Sequence, residues 1–411
     1  MLLASRVKEM NESITLKLNA KANQLAETGK RVFNLTAGQL PIFPPQEFIQ
    51  ALQNQLKELK SFQYSPAAGY PDLRKKLIKN VERKREINFA ATGEEFDCVI
   101  SNGGKHSLMN IFGCLVDNND KVLMLAPYWI SYPEMVKLFG GQSVVVTSRI
   151  EDNFTPSLTE IKKAIALHRP KAIVLNSPSN PAGIMYSAEW MDGLAKILLD
   201  KENKELIVIS DEIYFDLNYA GPSPTYFYQK HPELLKRTII CGGISKKLAG
   251  TGLRFGYCIA VKSLALALAK LQGQTTSGAN SLVQTALNEY DLTQVGKFLE
   301  PILSRLNNNS QYLKKKFTEA KILQCWYPVD SAFYYLLDFS KAPLFLRYQK
   351  KNPKQNDHGE QICEEILEKD GVVMVPGTDF GLANSARISL VLEEAKFAQA
   401  ADLIVSFLVT P

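Results

Sequence analysis

The sequence predicts an α/β fold: a large domain built on a mostly parallel, doubly wound sheet, followed by a smaller α+β domain. Three observations carry this expectation. Short continuous apolar runs rich in β-branched residues recur along the chain, amphipathic stretches of helical period separate them, and near residue 290 the alternation gives way to one long helical pattern. Strands covered on both faces read as unbroken apolar runs, and a helix between successive strands implies parallel neighbours.

In chain order, residues 1–45 read as an N-terminal arm that packs with the small domain and ends in the proline-rich turn GQLPIFPP (38–45). Strand runs come next at FDCVIS (96–101), KVLMLA (121–126), QSVVVT (142–147), KAIVLN (171–176), ELIVIS (205–210), RTIIC (237–241) and FGYCIA (255–260). LTEIKKAIAL (158–167) and AEWMDGLAKILL (188–199) are helices between them, and the whole fills a large domain over 46–290. In the remainder, 291–411, GKFLEPILSRLNNNSQYLKKKFTEA is a long helix, and AFYYLLDF (332–339) and GVVMVP (371–376) are strands. KNPKQNDHGE (351–360) reads as an exposed loop.

Composition narrows the function classes. With 411 residues, 45% hydrophobic and 22% charged, the chain has the profile of a globular protein with a sizeable core. A net charge of +6 is small for this length, and the basic residues are scattered, which gives little case for nucleic acid and leaves anionic small molecules as partners. The six cysteines include no CxxC pair and read as buried free thiols, and the four histidines show no metal-ligand spacing. No apolar run approaches the ~20 residues that span a bilayer, and MLLASRVKEMNE reaches charge too early for a signal peptide, so the cytoplasm is expected.

In an open α/β sheet, ligands bind beyond the carboxyl ends of the strands. The segments at those ends are polar here: NGGKHS (102–107), PYW (127–129), SPSNPAG (177–183), DEIY (211–214) and GGISKK (242–247). Taken singly, each has an ordinary explanation: Asp211 as a helix N-cap, NPAG as a turn, Trp129 as a core aromatic. Together they deliver an anion cradle, a flat ring, an amide, a carboxylate, a phenol and an amine to one edge. Pyridoxal 5'-phosphate needs all of these: a glycine-rich helix start for its phosphate, a carboxylate for its ring nitrogen, donors for its phenolic oxygen and a lysine for its aldehyde.

These residues also meet a known family. PYWISYPE (127–134), NSPSNPAG (176–183), SDEIY (210–214), SKKLAGTGLRFGY (245–257) and VPGTDFG (375–381) stand in the order found in class I, fold type I, PLP-dependent aminotransferases, and the chain most resembles their bacterial aspartate/prephenate branch. The dinucleotide reading of GTGLRFG is weaker, because a strand rather than a helix comes after it. The family places glycine six and arginine eight residues after its lysine. Lys246 meets both with Gly252 and Arg254, whereas Lys247 meets neither and is left as a neighbouring charge or a solvent-facing residue.

The resemblance implies that Lys246 bonds the cofactor aldehyde and that Asp211 pairs with the ring nitrogen. Asn180 and Tyr214 would bind the phenolic oxygen, and Trp129 would stack on the ring. Gly104, Lys105, Ser245 and Arg254 would hold the phosphate, joined by Tyr64 from the second subunit of a homodimer with shared active sites. Arg387 would grip the substrate α-carboxylate beside Gly38, with Lys105, Ser13 and Thr15 reading an acidic side chain; Lys105 also reads as a solvated residue at a helix start. Catalysis would rest on Lys246, Asp211 and Tyr214, and no metal is expected.

Ping-pong transfer between aspartate and 2-oxoglutarate is the expected reaction. AGQLPIFPP (37–45) replaces the family's acidic AGEPDFDTP with apolar residues, which keeps an aromatic-amino-acid or prephenate aminotransferase in view. A PLP-dependent C–S lyase and a non-catalytic PLP-binding protein are further readings.

Overall fold

The computed structural model describes residues 3–8, 10 and 14–410. Twelve strands are present among them: β1 Phe33–Asn34, β2 Phe96–Ser101, β3 Lys121–Ala126, β4 Gln142–Thr147, β5 Ala172–Asn176, β6 Ile207–Asp211, β7 Thr238–Gly243, β8 Gly256–Val261, β9 Tyr334–Asp338, β10 Val372–Val373, β11 Val375–Pro376 and β12 Ser385–Ser389. Seven of them form one sheet in the order β2-β8-β7-β6-β5-β3-β4. β8 runs antiparallel to both neighbours, and the other pairings are parallel.

The inner strands of this sheet are largely apolar because both faces are covered, whereas the edge strand β4 is mostly exposed. Leu123 and Leu125 of β3, with Ile173 and Leu175 of β5, pack into one apolar cluster; their alternates Val122, Met124, Ala172 and Val174 pack into another. Helices Leu158–His168 and Ala188–Leu199 supply Ile161, Ile165, Met191 and Leu194 to the first cluster. Helices Gly104–Leu115 and Lys262–Thr275 supply Leu108, Ile111, Phe112 and Leu268 to the second. Full burial of each such side chain contributes roughly 1.5–3 kcal/mol. Ser157 and Ser187 cap the first two of these helices, accepting from Glu160 N and Trp190 N.

The chain steps outward from β3 to β4 and returns to β5 on the other side of β3, so a crevice opens beyond the carboxyl ends of β3 and β5. β2, β6 and β7 end along the same edge, which places the loops after five strands around one site.

Past residue 290, the long helix spans Val295–Glu319, and β11, β12 and β9 form an antiparallel sheet. The expected strand GVVMVP divides at the buried Met374. Its first half, β10, pairs in parallel with β1 of the N-terminal segment, Phe33 opposite Val372; its second half pairs with β12. Strand β12, which carries Arg387, was absent from the expected strands: SARIS has only two strongly apolar or long residues between its serines. The loop over 351–360 is exposed only in part. Asp357 accepts from Gly359 N and Asn384 N, both at 2.8 Å, and His358 is buried.

The six cysteines are free, and all but the half-buried Cys114 are buried. No helix among the described residues is long and apolar enough to cross a membrane.

Gly256, at the start of β8, lies against the glycine pair that opens helix Gly104–Leu115. A Cβ there would sit 2.3 Å from Gly103 C and Gly104 N, where only backbone could yield. Gly256→Ala should lower unfolding stability by about 1–3 kcal/mol, the ordinary range for overpacking, and a urea titration checks it.

Candidate active site

Strand β2 runs into Gly103, whose φ of 96° favours glycine, and helix Gly104–Leu115 begins at the next residue. First-turn amides of a helix have no carbonyl partners within it and carry the positive end of its dipole. Arg254 closes over this turn: a Cβ on Gly103 would lie 2.5 Å from its Nη2, and its Nη1 donates to Thr251 O at 2.8 Å. Ser245 and Lys105 complete the cationic, donor-rich end of the site. Burial, then Arg254, pushes the Lys105 amine below its ordinary value, and that amine sits 5.0 Å above the Trp129 ring.

Asp211 ends β6 in the floor of the crevice, buried. Its Oδ2 accepts from Tyr132 Oη at 2.6 Å and its Oδ1 from Ile213 N at 3.3 Å. Burial raises its pKa to about 6, against the pull of these two hydrogen bonds. Trp129 meets Tyr132 edge to face with centroids 5.4 Å apart, so one turn after β3 supplies both an aromatic wall and a clamp on the carboxylate. Tyr132 was missing from the expected site although it stands within PYWISYPE; its helical position gave no sign that it turns inward.

Lys246 Nζ donates to Gly38 O at 2.5 Å. Burial above all, then Arg387 and Arg254, lowers its pKa to about 8, with Asp211 opposing. Lys247 plays no part in that depression and does not face solvent: it is buried, with its Nζ 3.6 Å from Asp216. The two lysines, consecutive in the chain, turn to different surroundings.

Arg387 reaches the same space from β12. Its Nη1 donates to Asn180 Oδ1 at 2.9 Å and its Nη2 to Thr36 O at 3.1 Å. The guanidinium lies between the rings of Tyr334, at 4.3 Å, and Phe380, at 5.0 Å. Its buried Nε has no partner among the described residues, a donor suited to one further acceptor. Asn180 spends its carbonyl on Arg387 and turns its amide, at 3.4 Å, to Tyr214 Oη, which also meets Tyr334 Oη at 3.3 Å. Tyr334 is thus a second residue that sequence reasoning missed, on a strand it found.

These groups line one cavity of about 600 Å³: Gly38, Gly104, Lys105, Trp129, Asn180, Asp211, Tyr214, Ser245, Lys246, Arg254 and Arg387 all contribute to its wall. One described residue of the expected site does not. Tyr64 stands outside it, 94% exposed; Ser13 lies outside the described residues, as does the side chain of Thr15. The apolar segment after Gly38 does not bring apolar groups to the cavity as its composition implied. The wall takes Ala37, Gly38 and Gln39, while Leu40 turns into the core and Phe43 turns outward.

A cradle for a dianion, a buried carboxylate of intermediate proton affinity, two donors around a phenol and an amine held neutral above pH 8 are the groups pyridoxal 5'-phosphate requires. Residues 30–404 match the family model for aminotransferase class I and II. The chain belongs to that family. This aminotransferase is 31% identical to the aspartate aminotransferase of Bacillus subtilis, across 96% of its own length and 97% of that protein's. It is 33% identical to the aspartate/prephenate aminotransferase of Thermus thermophilus, with 97% of each covered. The solved structure of Thermus thermophilus aspartate aminotransferase with maleate matches it at a TM-score of 0.85 and 30% identity, over 99% of this chain and 100% of that one. The aminotransferase is a fold type I enzyme, and its cofactor is pyridoxal 5'-phosphate.

A depressed amine sheds its proton early. Capture of pyridoxal 5'-phosphate by the cofactor-free aminotransferase should quicken as pH rises and level off above about 8. Stopped-flow absorbance reads the rate, and a midpoint at the ordinary lysine value of 10.5 would show an unperturbed amine.

Proposed function

We propose that the enzyme moves an amino group between aspartate and 2-oxoglutarate in two half-reactions at this one site. The observation that carries the reading is the pair of cations, Arg387 and Lys105, in the wall of a single cavity. A dicarboxylic amino acid offers one carboxylate to each. Relatives named aspartate aminotransferase, and one solved with the dicarboxylate maleate, support it.

When bound, pyridoxal 5'-phosphate supplies an aldehyde that takes up the amino group and a ring that receives the electron pair left at the substrate Cα. The chain does the rest. Gly104 and Lys105 amides, Ser245 and Arg254 would hold the phosphate, Trp129 would face the ring, and Asn180 and Tyr214 would donate to the phenolic oxygen. Asp211 would keep a proton at the ring nitrogen, the form in which the ring draws electrons best. Lys246 would hold the aldehyde and, as a free amine, would carry the substrate Cα proton. Arg387 grips the α-carboxylate with a planar fork that orients the Cα–H bond, next to the Gly38 backbone.

We further place the boundaries of three parts at 1–45, 46–290 and 291–411. In a homodimer, Tyr64 of each subunit would reach the phosphate held by the other, a use that suits its exposure. Free cysteines fit a cytoplasmic enzyme. An aromatic or prephenate substrate is the second reading, favoured by the aspartate/prephenate relatives.

Spectral titration of the loaded enzyme with aspartate, glutamate and phenylalanine should show conversion fastest with aspartate; a clear lead for phenylalanine moves the assignment to the second reading. Lys246→Ala should lose both the visible band and the half-reaction. Arg387→Ala should weaken aspartate binding by about tenfold to a hundredfold, the roughly 1.5–3 kcal/mol of a charge-assisted hydrogen bond.

A further inference from the structure

Two buried charged residues that the reaction does not use stand immediately after the two that it does: Glu212 after Asp211, and Lys247 after Lys246. Neither lines the cavity. Glu212 has a side-chain exposure of 0% and accepts three hydrogen bonds, from Arg85 Nε at 2.8 Å, Ser210 Oγ at 2.8 Å and Tyr228 Oη at 2.6 Å. Lys247 pairs with Asp216, and the other oxygen of Asp216 takes Lys84 Nζ. Lys84 and Arg85 are neighbours at the end of helix Pro71–Arg85, whose last residue also lays its guanidinium 3.4 Å above the Phe215 ring.

Burying three charges, with Lys84 and Asp216 half-buried beside them, is a poor route to stability, since apolar groups of like volume do as well or better. What such a cluster does supply is fixed geometry, because each charge tolerates only the arrangement that pairs it. Here the geometry is that of the two catalytic segments. From the proposed roles of Lys246 and Asp211, we propose that Lys84 and Arg85 are positioning residues, which set the placement of those two groups relative to each other by holding Lys247, through Asp216, and Glu212 from one helix end. An amine and a carboxylate that must meet opposite ends of the same small ring tolerate little drift, since an ångström of misplacement slows a reaction severalfold or far more.

The test removes one arm of the cluster without leaving a charge unpaired. The triple variant Lys84→Met, Asp216→Leu, Lys247→Met should fold, with a melting temperature near or above that of the parent. Its kcat should fall at least tenfold while KM for the amino acid stays within about twofold. A second readout needs no cofactor: reductive methylation of Lys246 in the cofactor-free enzyme, followed by mass spectrometry across pH. Arg387, Arg254 and Asp211, the charged groups that face Lys246, remain in the variant. A lysine released from its position becomes better solvated, so its labelling midpoint should move up from about 8 toward 10.5. An unchanged labelling profile and a kcat within twofold of the parent would overturn the proposal and leave the cluster a matter of stability alone. Should the triple variant not fold, Arg85→Lys, which keeps the charge and loses the fork, decides by the same kcat and by cofactor affinity: a tenfold loss in kcat supports positioning, and parent-like values overturn it. Lys246→Ala in the parent background separates the two levels, since a retained visible band there refutes the site reading itself rather than the positioning.

Discussion

The burial of one amine among guanidinium groups governs the rest of this site. Lys246 is largely withdrawn from water beside Arg387 and Arg254, with Asp211 as the opposing charge, and the outcome is a lysine of pKa about 8. The balance is delicate in a physical sense: more exposure would leave the amine protonated and inert, and a nearer carboxylate would pair with it and hold it. Asp211 is engaged instead by Tyr132, whose hydroxyl donates to one carboxylate oxygen. The same burial raises Asp211 to about 6, so the acid and the base of the site have been brought toward each other from opposite ends of the scale by one cause.

The seven-stranded sheet was legible because its physics is repetitive. Each inner strand is covered on both faces and therefore announces itself as an apolar run; β2, β3 and the mostly exposed edge strand β4 fall on the residues expected. Legibility declined where pairing is local and mixed. Val372 to Pro376 reads as one strand, yet its halves serve different partners, which no property of those residues encodes. Likewise β12 is buried along its whole length although three of its five residues are serine or alanine. Its burial comes from being the middle strand of three, a fact of topology alone.

The site divides along the same line. Residues suited to a cofactor's distinct chemical features, which the structure gathers around one cavity, were legible, because phosphate, ring nitrogen and aldehyde each demand a particular side chain at a particular strand end. Residues that act on other residues were not. Tyr132 and Tyr334 are phenols in apolar company, and only the fold reveals that one holds Asp211 while the other stacks on Arg387 and meets Tyr214. Lys247 shows the limit most plainly. Spacing told it apart from Lys246, but nothing in the run SKKLAG points to Asp216 or to a helix that ends more than a hundred and fifty residues earlier.

Electrostatics ties cofactor and substrate recognition together. Lys105, Lys246, Arg254 and Arg387 line the cavity, and Asp211 is the one carboxylate in its described wall. Four cations against one anion repel one another, most strongly around the buried Arg387 and the half-buried Lys246, while water screens the exposed Lys105 and Arg254 until anions arrive. On the proposed roles, a phosphate dianion at the Arg254 end and a carboxylate at Arg387 would do more than fit: each would relieve the charge that the other site feels. Relief at either end would make the Lys246 proton less costly to hold. Anions would thus tune the amine upward from about 8, and the cationic surplus would let occupancy of the site adjust the strength of the base within it.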